Sequence, residues 1–205
     1  MGLRQRIELV TASRDLLNSL AVKYHYMHKA IHPRACPFGW SVRFDGEEHA
    51  GDGEWMGFII FSSIHFTKLK GEFGGDGLPT RWQVLQLSRL WLHDSLPRNS
   101  ETVVIAKALK MVQRRWIEVH PPRFPDEPYH ILKIISYCDT EFYRGTIYRA
   151  ANFREYGVVS SNRGKTNRGY KSGSEKICFI YDLEAPRWVY ESPQLSLFPN
   201  GEMYE

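Results

Sequence analysis

The sequence predicts one mixed α/β (α+β) sheet flanked by helices, and three observations predict it. Strand-like apolar runs recur along the chain, from Ile7–Val10 near the start to Ile177–Asp182 near the end. Two stretches between them carry apolar residues at helical spacing, Leu16–Ala21 and Val104–Val112. The strand runs at both ends sit close together across polar turns, which suits antiparallel hairpins more than a uniform series of crossovers. A chain of 205 residues that is 42% hydrophobic, 14% aromatic and 24% charged has material for one packed domain. The expected division is a single domain over 1–190 and a C-terminal tail over 191–205.

Ile7–Val10 reads as a short strand, and Thr11 or Ser13 as the cap of a helix with Leu16, Leu17, Leu20 and Ala21 on one face. Trp40–Phe44 and Trp55–Ile64 read as strands joined by the turn DGEEHAGDG. Val84–Leu92 (VLQLSRLWL) begins with alternation and turns apolar, as a partly buried central strand does. After the loop HDSLPRNS, ETVVIAKALKMVQRRW reads as a helix that the proline-rich VHPPRFPDEP breaks. His130–Tyr137 reads as another strand, 144–152 as a short helix ending near Phe153, and Ile177–Asp182 as a late strand.

Several classes are excluded. Low hydrophobicity with high net charge, the mark of whole-chain disorder, is absent. No apolar run approaches the ~18–20 residues of a membrane span. The start, MGLRQRIELV, lacks a secretory apolar region, so a cytoplasmic protein is expected. Cys36, Cys138 and Cys178 are odd in number and far apart, which argues against a disulfide framework or a cysteine-based zinc site.

The net charge of +4 is unevenly spread. Residues 144–176 hold eight basic residues and two acids, whereas 177–205 hold one Arg and five acids. Such a cluster is either a solvated face or a polyanion site, since Lys and Arg neutralise phosphates and release counterions. The mixture SSNRGKTNRGYKSGSEK favours the second. Arg144, Arg149, Arg154, Arg163, Lys165, Arg168 and Lys171 are therefore candidate DNA-binding residues.

Other polar residues invite chemistry. The turn Arg98-Asn99-Ser100 lies between a buried strand and a helix N-terminus, where free N–H groups and the helix dipole attract anions; an ordinary capped helix is the plain alternative. Lys23–His28 packs two His and two Tyr into six residues, and His25 and His28 at i, i+3 would share a helix face. Arg89 interrupts an apolar strand, and a buried Arg needs a partner. Ser136 and Asp139 stand at the end of another strand, where open sheets place ligands; Asp139 would pair with Arg89 or act as a base. Tyr148 and Asn152, at i, i+4, would project to one side of the next helix.

The order KYHYMH, WSVRF…GFIIFSS, LSRLWLHDSLPRNSETVVIAKAL, IISYCD and GTIYRAANFREYG resembles the Mom family of phage DNA-modification proteins over roughly residues 20–160. The resemblance implies a GNAT-like, mostly antiparallel sheet. It implies conversion of adenine in double-stranded DNA to an N6-carbamoylmethyl derivative, in defence of phage or mobile-element DNA against restriction. It also implies acetyl-CoA as cofactor, with a role proposed for iron. By that resemblance His25, Tyr26, Arg89, Ser136 and Asp139 form the catalytic set, with His25 and Asp139 as possible metal ligands. Arg98, Asn99 and Ser100 replace the pyrophosphate loop, whose RxxGxG is absent, and Tyr148 and Asn152 join the cofactor set. Reaching a base inside a duplex requires flipping it out, offset by backbone contacts and stacking on aromatics.

The tail carries a second signal. Gln194, Leu195, Leu197 and Phe198 lie in QLSLF, which resembles the pentapeptide by which bacterial proteins bind the DNA polymerase sliding clamp. Gln offers an amide to a polar rim, and Leu and Phe are apolar anchors for a groove. The alternative is an edge strand that packs back on the domain. For the whole chain, two further readings stand beside DNA adenine modification: a GNAT-like N-acyltransferase of an RNA, protein or small-molecule amine, and a non-enzymatic DNA- or clamp-binding protein.

Overall fold

Alternation and helical spacing resolve into seven strands and four helices in the computed structural model, which describes residues 2–64, 83–120, 130–160 and 175–183. The chain opens with a single turn, α1 (Leu3–Arg6), then β1 (Ile7–Thr11) and α2 (Arg14–Tyr24). The hydroxyl of Ser13 accepts the N–H of Leu16 at 3.2 Å and caps α2. A 3-10 turn (Pro33–Ala35) leads to β2 (Phe38–Phe44) and β3 (Gly57–Ser63). There follow β4 (Val84–Leu92), α3 (Ser100–Val119), β5 (Lys133–Asp139), α4 (Thr146–Ala150), β6 (Arg154–Ser160) and β7 (Glu175–Asp182). The first turn, the 3-10 turn and β6 escape the sequence reading, because none carries an extended apolar period.

The strands form one sheet in the order β1-β2-β3-β4-β5-β7-β6. Every pairing is antiparallel except β4 with β5. β3 shows why both faces are covered. Phe58 and Ile60 pack against Leu17, Leu20 and Ala21 of α2, while Ile59 and Phe61 face the core under α3. On α3, Val104, Ile105, Ala108, Leu109, Val112 and Trp116 supply that second layer. A strand buried on both sides reads as a continuous apolar run, as GFIIFSS does.

Two irregularities open the middle of the sheet. β4 and β5 pair only from Val84–Lys133 to Gln86–Ile135 and then diverge. At the same level β4 carries a bulge: Ile60 pairs with Arg89 and Phe61 with Leu87, which leaves Ser88 as the extra residue. A bulge bends its strand and strengthens the local twist, so β4 leaves β5 where Ser88 is inserted. Ser136 Oγ donates to Leu87 O at 3.1 Å and bridges the strands at the apex of the fork. Downstream, β5 pairs over its whole length with β7.

Candidate functional site

The fork holds a cavity of about 560 Å3, walled by Gln86–Leu92 of β4, Ser136–Asp139 of β5, His25–Met27 after α2 and Tyr143–Tyr148 at the start of α4. It unites His25, Tyr26, Arg89, Ser136, Asp139, Tyr148 and Arg144 from the sequence-derived candidates. These residues come from four separate parts of the chain.

His25 is not on a helix face shared with His28. α2 ends at Tyr24, His25 has extended backbone as the C-cap, and His28 is left-handed at φ 46. The C-cap brings the imidazole back into the structure, where it is 7% exposed. Burial, with Arg89 as a nearby cation, lowers its pKa to about 4, so the ring is neutral near pH 7. Nδ1 accepts the N–H of Met27 at 3.2 Å. The proton of the neutral ring therefore sits on Nε2, which leaves that nitrogen a hydrogen-bond donor. Tyr26 lies on its ring at 4.4 Å. Burial and the charge of Asp139 push the Tyr26 pKa up, so its hydroxyl also keeps its proton.

Arg89 does not pair with Asp139. Its Nη1 donates to Ser88 O at 2.6 Å, and its buried Nε has no hydrogen-bond partner. Burial lowers its pKa from the usual arginine value. A desolvated cation with unspent donors on a cavity wall favours an anion or a carbonyl oxygen. Asp139 is itself buried, with Oδ1 accepting the N–H of Glu141 at 3.2 Å and Oδ2 3.9 Å from Lys176 Nζ. The register explains that partner, because Asp139 lies directly opposite Lys176 on β7.

Ser136 is 1% exposed and spends its proton on Leu87 O. Tyr148 stacks on Phe179 at 5.0 Å, and burial pushes its hydroxyl up to about 12. Cys138 lines the cavity with its thiol raised by burial and directed to Tyr143 O at 3.5 Å. Gly145 caps α4 at φ 72, and a Cβ there would stand 2.4 Å from Phe179 Cζ. Only glycine lets the chain turn over that ring.

Several candidates lie off the cavity wall. Arg98, Asn99 and Ser100 are not on it, although Glu101 of the next turn is. Asn99 is the N-cap of α3 in left-handed conformation with no side-chain cap bond, and Ser100 Oγ donates to Pro97 O at 2.6 Å. Asn152 is not on α4 with Tyr148. The helix ends at Ala150, Asn152 turns left-handed at φ 64, and the i, i+4 relation is lost. Arg149 is held by Glu155 at 2.6 Å and Arg154 by Asp182 at 3.5 Å. Arg163, Lys165, Arg168 and Lys171, like Gln194, Leu195, Leu197 and Phe198 of the tail, lie outside the described residues.

The sequence reading missed Trp91, Tyr143 and Lys176 as parts of this wall. Trp91 lies in the strand read only as partly buried, and its ring stacks on Tyr24 at 4.4 Å. Lys176 stood in a basic run with no cue to its place opposite Asp139. Among the described residues no group of three or more His, Cys, Asp or Glu side chains is placed to hold a metal ion. His25 and Asp139 alone do not make an iron site, and the donor set does not fit one. Among the described residues no helix is long and apolar enough to cross a membrane.

Comparison with known proteins adds three findings. The model of the Mom protein family matches residues 6–177. "Methylcarbamoylase mom" of Escherichia phage Mu is 34% identical over 78 residues, which is 38% of this chain and 27% of that relative. The chain thus matches about a quarter of the length of this curated relative. Among solved structures, the spermidine/spermine N-acetyltransferase SpeG of Vibrio cholerae superposes with a TM-score of 0.50 at 9% identity, covering 93% of this chain and 99% of that one. The acetyltransferase yncA of Salmonella typhimurium, solved with its cofactor acetyl-CoA, also reaches 0.50, at 7% identity over 87% and 95% of the two chains. At such identities the likeness establishes a GNAT-like fold alone.

Proposed function

The chain belongs to the Mom protein family, and from that premise we propose that it is a transferase that modifies adenine in double-stranded DNA. The proposed product is an N6-carbamoylmethyl derivative, and its proposed role is to shield phage or mobile-element DNA from restriction. The observation that carries the reading is the cavity in the β4–β5 fork, which gathers a carboxylate, an underused guanidinium and two neutral donors from segments far apart in sequence. The phage Mu relative, by its name a methylcarbamoylase, supports the chemistry.

The adenine N6 amine shares its lone pair with the ring and is a poor nucleophile, so a proton must leave as a bond to carbon forms. Asp139 is placed to accept it, because its carboxyl group lines the cavity and carboxyl oxygens are proton acceptors. His25 cannot share that task while its Nδ1 is engaged and its Nε2 is protonated. His25 and Tyr26 instead donate, and Arg89 attracts oxygen that gains negative charge. Ser136 holds the fork at its apex.

The same cavity suits an acyl-CoA. Among the described residues, β4 beyond Gln86 has no backbone ladder to β5, Leu87 O taking only the Ser136 hydroxyl, and an open strand edge can pair with the amides of an extended arm. When bound, acetyl-CoA would supply an activated two-carbon unit and leave as the CoA thiol; a carbamoylmethyl product would in addition take its amide nitrogen from an amine donor and give two electrons from the methyl carbon to an oxidant. Arg89 and Tyr148 would face its reacting end, and Glu101 in the first turn of α3 lines the same wall. The QLSLF tail supports a further proposal, that the enzyme is recruited to the sliding clamp. Deleting 193–199 should abolish clamp binding and spare modification by purified protein.

The test is to express the protein in bacteria, digest plasmid DNA to nucleosides and weigh them by mass spectrometry. A new deoxyadenosine species supports the proposal. Unmodified DNA from folded protein would overturn it and direct the same assay to tRNA.

A further inference from the structure

Three large rings stand exposed at the cavity mouth. Phe142 is 60% exposed, Tyr143 52% and Tyr26 38%. Single exposed apolar residues are ordinary, but three rings converging from two segments more than a hundred residues apart are not. Tyr26 lies 5.6 Å from both Phe142 and Tyr143, which are 6.3 Å apart. The rings are tilted by 45–64° and leave faces open to solvent.

Their supports are built. Asp139 O accepts the N–H of Phe142 at 3.3 Å and of Tyr143 at 2.9 Å, Asp139 Oδ1 accepts that of Glu141, and Cys138 donates to Tyr143 O. On the other side, His25 O accepts the N–H of His28 at 2.7 Å and closes the turn that presents Tyr26. Both turns thus hang on residues of the cavity wall, so the rings keep a fixed relation to His25 and Asp139.

We propose that Phe142 and Tyr143, together with Tyr26, are a stacking platform that receives the purine ring of an adenine swung out of the duplex and hands its amine to the cavity. The proposal rests on the DNA-modification reading and names how the same site takes its substrate. A nucleobase fits better than an organic cation, which aromatic cages also hold. Arg144 follows Tyr143 directly and lines the cavity with Lys176. Asp94, Glu101 and Asp139 share that wall, so the discrimination rests on Arg144 beside the rings, which attracts the phosphates on either side of a flipped nucleotide. Stacking on aromatic side chains is tolerant of sequence, and extrusion is easiest for a base whose pairing is already lost.

The experiment measures binding of full-length protein to two duplexes by fluorescence anisotropy. One has a single adenine opposite an abasic site, and the other is the same duplex fully paired. The wild-type protein should prefer the first by about tenfold or more, from the typical worth of one stacked base. The double variant Phe142→Leu/Tyr143→Leu keeps apolar bulk at exposed sites and should lose that preference. Its affinity for the paired duplex should stay within about threefold of wild type, since phosphate contacts supply most of that binding. A variant that keeps the preference overturns the platform and leaves the DNA reading intact. Wild-type protein that binds neither duplex overturns both.

Discussion

His25 changes its meaning once its surroundings are known. In sequence it is half of a His pair with a metal or acid/base role; in the fold it is a buried donor whose Nδ1 is already taken by Met27. Its pKa of about 4 lies below the ordinary 6.5, so between those values the unfolded chain binds a proton that the folded chain does not. The stability this contributes is complete above pH 6.5 and is lost as the pH falls toward 4. The difference in melting temperature between pH 7 and pH 4.5 should therefore shrink in His25→Gln. Because the ring is neutral throughout the physiological range, kcat/KM should show no acid limb centred near pH 6.5. Such a limb, removed by His25→Gln, would make His25 the base and displace Asp139. Asp139→Asn is expected to lower turnover by about 10²- to 10⁴-fold, the usual worth of a positioned base, with little change in melting temperature. Arg89 was legible as a residue needing a partner, but its partner was not, because strand register and the bulge at Ser88 decide which side chains meet.

At the scale of elements, the strands other than β6 and the long helices were legible because their periods are strong. β4 spans Val84–Leu92 as its pattern predicts, and α3 buries the same Val104, Ala108, Leu109 and Val112 stripe. What the pattern cannot carry is the divergence of β4 from β5, since a bulge has no periodic signature. The Ser136–Leu87 bond marks the apex of that divergence. Ser136→Ala should cost about 1 kcal/mol of stability in urea unfolding, with activity reduced far less than in Asp139→Asn. Loss of activity equal to that of Asp139→Asn would give the hydroxyl a direct chemical role. The short helix α4 depends on Gly145. Gly145→Ala combines a left-handed backbone with a clash on Phe179 and should cost about 2 kcal/mol or more. The same denaturation series reads that loss.

For the whole molecule, sheet topology brings distant segments together at the fork. The topology was legible as mixed with hairpins at both ends, and the order β1-β2-β3-β4-β5-β7-β6 fits that expectation. The grouping of the catalytic candidates was legible only through family blocks, because residues 25, 89, 139 and 148 meet through sheet order rather than through spacing. Arg149 and Arg154 lie beside carboxylates on the surface, while Arg144 and Lys176 line the cavity. If Arg163, Lys165, Arg168 and Lys171 each contact a phosphate, replacing all four by Gln should flatten the slope of log K against log salt by roughly 3–4, at about 0.9 per contact. An unchanged slope would remove that segment from the DNA surface.

The central claim is that adenine is modified in the fork between β4 and β5, with Asp139 taking its proton. It is tested most directly by quantifying modified deoxyadenosine in DNA from cells expressing wild type, Asp139→Asn and Arg98→Gln at matched levels of folded protein. Arg98 sits off the cavity wall and serves as the control for loss of charge. The account predicts modified nucleoside with wild type and Arg98→Gln, and none above background with Asp139→Asn. Equal modification by Asp139→Asn and wild type would contradict it.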